Sequence, residues 1–164
     1  MAMAVAFDAK GLNECYRFDI PELGTLLVDC RTLPWKLDSF ANESERDDSV
    51  SLFRFITQAE PLYDCLAQRT LFQRTVWKAL CQIPFGKTLS YRQLAVRIGC
   101  PKAYRAVANA AAQNPFPLVI PCHRLIRSDG KPGGYSAGNG SELKVKLLLW
   151  EKRFSAIASS LLPE

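Results

Sequence analysis

Asn114-Pro115-Phe116-Pro117-Leu118-Val119-Ile120-Pro121-Cys122-His123-Arg124-Leu125-Ile126 decides how this chain is read. Two prolines within four residues stop any helix that precedes them. A short apolar run, Leu118-Val119-Ile120, then delivers Cys122, His123 and Arg124, and Leu125-Ile126 buries the chain again. A cysteine between two apolar runs is ordinarily an inert core residue. Here it adjoins an arginine and the single histidine of the chain, and a glycine-rich stretch (SDGKPGGYSAGNG, 128–140) follows. That is the setting of a reactive thiolate. If the run is a strand, Cys122 and His123 point to opposite faces, so a water would relay the proton between them. Glu151, on a closing helix, is placed to orient the imidazole as the third group.

The segments on either side are helical. Leu71, Val76, Leu80 and Ile83 mark an amphipathic helix stopped by Pro84 and Gly86. Ser90 suits the N-cap of a short helix from Tyr91 to Ile98, with Leu94 and Ala95 inward. Gly99 turns the chain, and Pro101 opens a helix running to about Gln113. Helix, glycine turn, helix outlines a helix-turn-helix. The second helix is almost free of bulk, with alanine at 103, 106, 108, 110, 111 and 112, while Lys102, Tyr104 and Arg105 stand at its start. Such a surface suits close packing on another helix or entry into a DNA groove. Downstream, Ser141 is placed to cap a last helix whose inner face is Leu143, Leu147, Leu148 and Trp150. Upstream, Cys15–Ile20 and Thr25–Cys30 are β-rich runs joined by a Pro21-Glu22-Leu23-Gly24 turn. Residues 42–48 form an acidic loop, and Leu52, Phe53, Ile56, Leu62, Tyr63 and Leu66 suggest helical packing broken at Pro61.

Charge divides the chain. Residues 1–70 carry seven Lys/Arg against twelve Asp/Glu, a net of −5; residues 71–164 carry fourteen against four, a net of +10. A basic half fits either a solvated surface or a polyanionic partner. Apolar residues make up 48% of the 164, enough for a real core. The opening Met1–Phe7 lacks the basic start of a signal peptide, and no apolar run is long enough to cross a bilayer. The six cysteines contain no C-x-x-C pair, so reduced thiols are expected, with no metal and no cofactor.

Ile120-Pro121-Cys122-His123-Arg124, preceded by Asn114-Pro115 and followed by Gly134-Tyr135-Ser136, resembles the active-site signature of the O6-alkylguanine-DNA alkyltransferases, the methylated-DNA–protein-cysteine methyltransferases. Ser90-Tyr91-Arg92-Gln93-Leu94-Ala95 and Arg105-Ala106-Val107 fall in that family's order. The resemblance covers about residues 71–154; the first seventy match only through Leu23-Gly24-Thr25-Leu26-Leu27. It implies that Cys122 accepts the alkyl group once and irreversibly. His123 would take its proton through a water, and Glu151 would orient His123. Tyr91 would protonate the leaving guanine, and backbone carbonyls near Cys122 and Leu125 would accept from the guanine amino group. Tyr135 and Ser136 would contact the flipped base, and Arg105 would fill the space it vacates. Asn114 would tie the recognition and acceptor segments together, Lys144 would hold the closing helix on the site, and Arg124 would join the substrate and DNA contacts.

The resulting expectation is an α/β chain. An N-terminal α/β lobe (1–70) precedes a mainly helical DNA-binding and alkyl-acceptor domain (71–164) with a helix-turn-helix. Double-stranded DNA carrying O6-alkylguanine is the expected partner, met by a monomer in the cytoplasm, or in the nucleus of a eukaryote. Alternatives of other kinds are a non-catalytic alkylguanine sensor, which would lack the acceptor cysteine, and a helix-turn-helix redox regulator, which would need a resolving thiol. A cysteine hydrolase would need a peptide or ester pocket that nothing in the sequence marks.

Overall fold

A computed structural model describes residues 14–41, 45–58, 66–138 and 140–161. The expectations for Pro61, Leu62 and Tyr63, and for the start of the acidic loop at 42–44, lie outside those residues. The first half opens with an antiparallel sheet of β1 (Cys15–Ile20), β2 (Gly24–Asp29) and β3 (Lys36–Phe40). The turn read at Pro21–Gly24 joins β1 to β2, with Phe18 opposite Leu26 and Ile20 opposite Gly24. Gly24 adopts φ +83, which only glycine takes without strain. The third strand is an addition to the sequence reading. Its buried residues, Leu37 and Ser39, alternate with exposed Lys36, Asp38 and Phe40, a period too short to stand out.

Helix α1 (Ser49–Gln58) turns Leu52, Phe53, Phe55 and Ile56 inward against that sheet. Helix α2 (Leu71–Leu80) begins with a reciprocal capping box, Thr70 bonding the Gln73 N–H and Gln73 bonding the Thr70 N–H. Leu71, read as an inward residue, is 74% exposed because it sits in that first turn, before the buried stripe Val76, Trp77, Ala79 and Leu80. Ser90 and Gln93 repeat the same box at the start of α3 (Tyr91–Arg97), as its N-cap position anticipates. Gly99 at φ +77 reverses the chain, and α4 runs Tyr104–Ala112. Pro101 and Lys102 remain in the turn instead of opening α4.

The last helix, α5 (Ser141–Ala158), starts after Gly140 at φ +69, and Ser141 is its first residue with no capping bond, not its cap. Its buried stripe is Leu143, Lys144, Leu147, Trp150, Glu151, Phe154 and Ala158. Leu148 is only partly buried. Lys144 and Glu151 are two turns apart on one face, so the helix delivers both charges to the same place. Aromatic rings join the halves: Phe85 meets Phe53, Trp150 and Phe154 at centroid distances of 5.0, 5.5 and 6.3 Å. Trp150 Nε1 donates to Ser49 Oγ at 3.0 Å. The buried apolar residues of both halves form one continuous core.

Candidate active site

Two short elements bring the site together. Leu89–Ser90 (β4) pairs in parallel with Leu125–Ile126 (β5), Leu89 lying opposite Leu125. That pairing sets Tyr91, the next residue, beside the segment bearing Cys122. Cys122–Arg124 itself is a single 3-10 turn, closed by the Leu125 N–H on the Cys122 carbonyl, and not the strand expected. Three successive side chains of a tight turn fan out, and all three here are buried. Leu118, four residues earlier, is held at φ +76, a costly conformation for a γ-branched residue that its complete burial maintains.

The thiol lies at the wall of a cleft of about 360 Å³, lined also by Tyr91, Ala108, Ala111, Ala112, Gly134, Tyr135 and Ser136. Cys122 is 6% exposed, and its Sγ accepts from Asn114 Nδ2 at 3.2 Å. Burial pushes the thiol up from its ordinary value, while the Asn114 amide, Lys144 and the backbone N–H groups of Cys122 and His123 pull it down. Asn114 is pinned on both sides: Nδ2 also donates to the Ile120 carbonyl at 2.6 Å, and Oδ1 accepts from the Phe116 N–H at 2.9 Å.

Behind the thiol, His123 Nε2 is 2.6 Å from Glu151 Oε1. Burial holds His123 below its ordinary value, so the ring is neutral at neutral pH. Burial alone would raise Glu151, but His123 and Arg124 outweigh it and hold the carboxyl at about 2. An ionised Glu151 can only accept, so Nε2 carries the proton and Nδ1 is the free base. Nδ1 is buried with no partner among the described residues.

Arg124 corrects the sequence reading. Its side chain is buried: Nε and Nη2 donate to Glu151 at 2.9 Å, and Nη1 donates to the Ile83 carbonyl at 2.8 Å. With the Gly86 N–H at 3.0 Å, Glu151 takes four donors from three residues on two segments of chain. Arg124 therefore orients the carboxylate from within the core, and it is not among the residues that line the cleft. The sequence offered no sign of the partners at Ile83 and Gly86, since both contacts are made with backbone atoms.

On the other wall, Lys144 Nζ donates to Tyr91 Oη at 3.3 Å and to the Gly134 carbonyl at 3.2 Å. Burial lowers Lys144 to about 8, against the pull of Cys122. Burial and the neighbouring thiol raise Tyr91, and burial raises Tyr135 well above its ordinary value, so both phenols stay protonated donors. Tyr135 Oη also lacks a partner among the described residues. Ser136 Oγ donates to the Ala112 carbonyl at 2.9 Å, joining the cleft rim to the end of α4. Leu125 is fully buried beneath the turn. Arg105, Ala106, Asn109 and Ala112 form the exposed face of α4, so Arg105 stands outside the cleft on the small-residue surface. Among the described residues no helix is long and apolar enough to cross a membrane.

Residues 71–153, just over half of the chain, match the family model described as 6-O-methylguanine DNA methyltransferase, DNA binding domain. A methylated-DNA–protein-cysteine methyltransferase of Methanosarcina barkeri is 58% identical over 69 residues, covering 42% of this chain and 44% of that one. One from Mus musculus is 50% identical over 91 residues, covering 55% and 43%. The match thus spans under half the length of these curated relatives. Among solved structures, Mycobacterium tuberculosis OGT in complex with DNA superposes with a TM-score of 0.57 at 31% identity, over 84% of this chain and 91% of that one. The O6-methylguanine-DNA methyltransferase of Pyrococcus kodakaraensis shares the fold, with a TM-score of 0.62 at 22% identity over 84% and 97%. A family match that starts at the Thr70-capped helix and ends two residues past Glu151 takes in every residue of the site just described, and the chain belongs to the 6-O-methylguanine DNA methyltransferase family.

Proposed function

We propose that the protein repairs DNA by moving the alkyl group of O6-alkylguanine onto Cys122, once per molecule. The observation that carries this reading is the shared cleft: a buried thiol, two protonated phenols and Ser136 line one pocket at the foot of a small-faced helix. The target atom lies within a base pair, so the base must leave the stack, which costs a few kcal/mol. The alanine face of α4 admits a close approach to the minor groove, and Arg105, exposed on that face, fills the vacated stack in this reading.

In the cleft, His123 Nδ1 takes the thiol proton through a water. The thiolate attacks the alkyl carbon; the S–C bond forms as the C–O6 bond breaks, and the electron pair returns to the guanine. Tyr91 protonates that leaving base while Lys144, bonded to its hydroxyl, steadies the charge left behind. Tyr135 donates to the base, Ser136 contacts the O6 side, and backbone carbonyls near Cys122 and Leu125 accept from the amino group. Asn114 keeps the thiol aimed at the cleft. A thioether has no easy leaving path, so the acceptor is not regenerated.

The test is intact mass after incubation with duplex DNA carrying O6-methylguanine. The expected result is a gain of one methyl, mapped to Cys122, with product reaching a plateau at one per chain. Turnover beyond that plateau, or a methyl on another residue, overturns the reading.

A further inference from the structure

The first half of the chain touches the site at one edge, just before β3. There the Trp35 backbone N–H donates to the Pro115 carbonyl at 2.9 Å. The Trp35 indole stands edge-on to Phe116, centroids 5.0 Å apart, and both side chains are buried. Phe116 in turn donates its N–H to Asn114 Oδ1, and Asn114 donates to the Ile120 carbonyl and to Cys122 Sγ. An unbroken series of contacts therefore runs from Trp35 to the thiol. On its far side Trp35 leans on Phe55 of α1, 6.0 Å between centroids, so the indole is backed by the first half's own core.

A second contact points the same way. Gly138, on the loop that follows Tyr135 and Ser136, lies so close to Leu37 of β3 that an added Cβ would sit 3.2 Å from the Leu37 carbonyl. The edge that braces the acceptor loop thus also abuts the loop carrying the cleft rim.

Asn114 can hold the thiol only while its own amide is fixed. The 114–121 segment that fixes it is bonded mainly to itself, through the Pro117–Ile120 bridge, the Ile120 N–H on the Phe116 carbonyl at 2.9 Å and the Asn114 side chain, and it contains the strained Leu118. Such a segment needs an external wall. We propose that Trp35 is a positioning residue: by clamping Pro115 and Phe116 it holds Asn114 on Cys122 Sγ, which gives the first half of the chain a direct part in the chemistry. This deepens the acceptor-thiol reading of Cys122 and rests on it.

The test measures the thiol by itself, apart from any reaction with guanine. Carboxamidomethylation of Cys122 by iodoacetamide is followed against pH by peptide mass, with exposed Cys100 as the internal control. The groups facing Sγ are Asn114, Lys144, Tyr91, Tyr135 and the backbone N–H groups of Cys122 and His123, and of the side chains only Asn114 lies on the braced segment. In Trp35→Ala the midpoint for Cys122 should rise by about 0.3 to 1 pH unit, the worth of a weakened hydrogen bond to the thiolate. The Cys100 midpoint should stay unchanged. Trp35→Phe, which keeps an edge for Phe116, should restore the Cys122 value. Trp35→Leu replaces the alanine variant if that one does not fold. In an Asn114→Ala background, removing the indole should cause no further shift, because both changes break the same contact. An unshifted midpoint in Trp35→Leu or Trp35→Ala, or a shift that adds fully to that of Asn114→Ala, overturns the proposal. A shifted midpoint with no alkyl transfer from O6-methylguanine would keep the brace and sink the repair reading.

Discussion

Replacing Arg124 by methionine removes the guanidinium while keeping most of the side-chain volume. Glu151 then remains buried with only the His123 and Gly86 donors, and the Ile83 carbonyl loses its partner. Leaving one charge of a buried pair unpaired costs about 3–5 kcal/mol. Titration sets the scale for the partners together: a carboxyl held at about 2 instead of 4.5 is stabilised in its ionised form by about 3 kcal/mol, a hold supplied by His123 and then by Arg124. For a chain of 164 residues, at roughly 2–4 °C per kcal/mol, the melting temperature should fall by about 6–20 °C at pH 7. The pH dependence carries the diagnosis. A depressed carboxyl stabilises the fold above its unfolded value near 4.5 and loses that contribution as pH falls towards 2. The gap between wild type and Arg124→Met, measured by calorimetric or fluorescence melts, should therefore narrow below pH 4.5, where a protonated Glu151 needs no cation. Adding Glu151→Gln to Arg124→Met should recover part of the loss. A gap of equal size at pH 7 and pH 3, or a fall of less than 2 °C, would show that Arg124 does not stabilise the carboxylate.

Arg105→Ala should slow repair of duplex DNA at least tenfold while leaving the reaction with free O6-benzylguanine near its original rate, because only the duplex has a stack to fill; equal slowing of both would remove Arg105 from that role. The alkylated protein should melt several degrees below the fresh one, since adding a carbon at a 6% exposed Cys122 overpacks its pocket by about 1–3 kcal/mol and weakens the Asn114 bond to Sγ; coincident melting curves would mean that the pocket yields freely.

The helices around the site were legible because their signals are local. Ser90 with Gln93, Gly99, and the Leu94–Ala95 pair fix α3 and its turn without help from the rest of the chain. Cys122, His123 and Glu151 could be grouped from chemistry, and the structure sets His123 Nε2 2.6 Å from Glu151 Oε1. The misreadings have a common cause. The resemblance groups Arg124 with the substrate and DNA contacts, and the atoms that bury it, the Ile83 carbonyl oxygen and the Glu151 carboxylate, lie 41 and 27 residues away. The third strand escaped because its five residues form an edge whose partner, β2, supplies the missing stability. The 3-10 turn at Cys122 escaped because apolar flanks suit a strand and a tight turn equally. The first half gave no hint of chemistry, since its link to the thiol is a main-chain bond and a ring edge, neither of which leaves a motif.

Glu151 follows Cys122 by 29 positions, and translation makes the thiol before it makes the carboxylate. A nascent chain that has reached only the glycine-rich loop holds an arginine with no counterion and an imidazole with nothing to fix its tautomer. An unpaired cation is costly in a dry interior, so the buried place of Arg124 in the turn depends on α5 being docked. The carboxylate behind the thiol is thus the last part of the site to be made, after Trp35, α3 and α4. On the acceptor reading of Cys122, that order leaves the charges behind the thiol unpaired until the last helix is made.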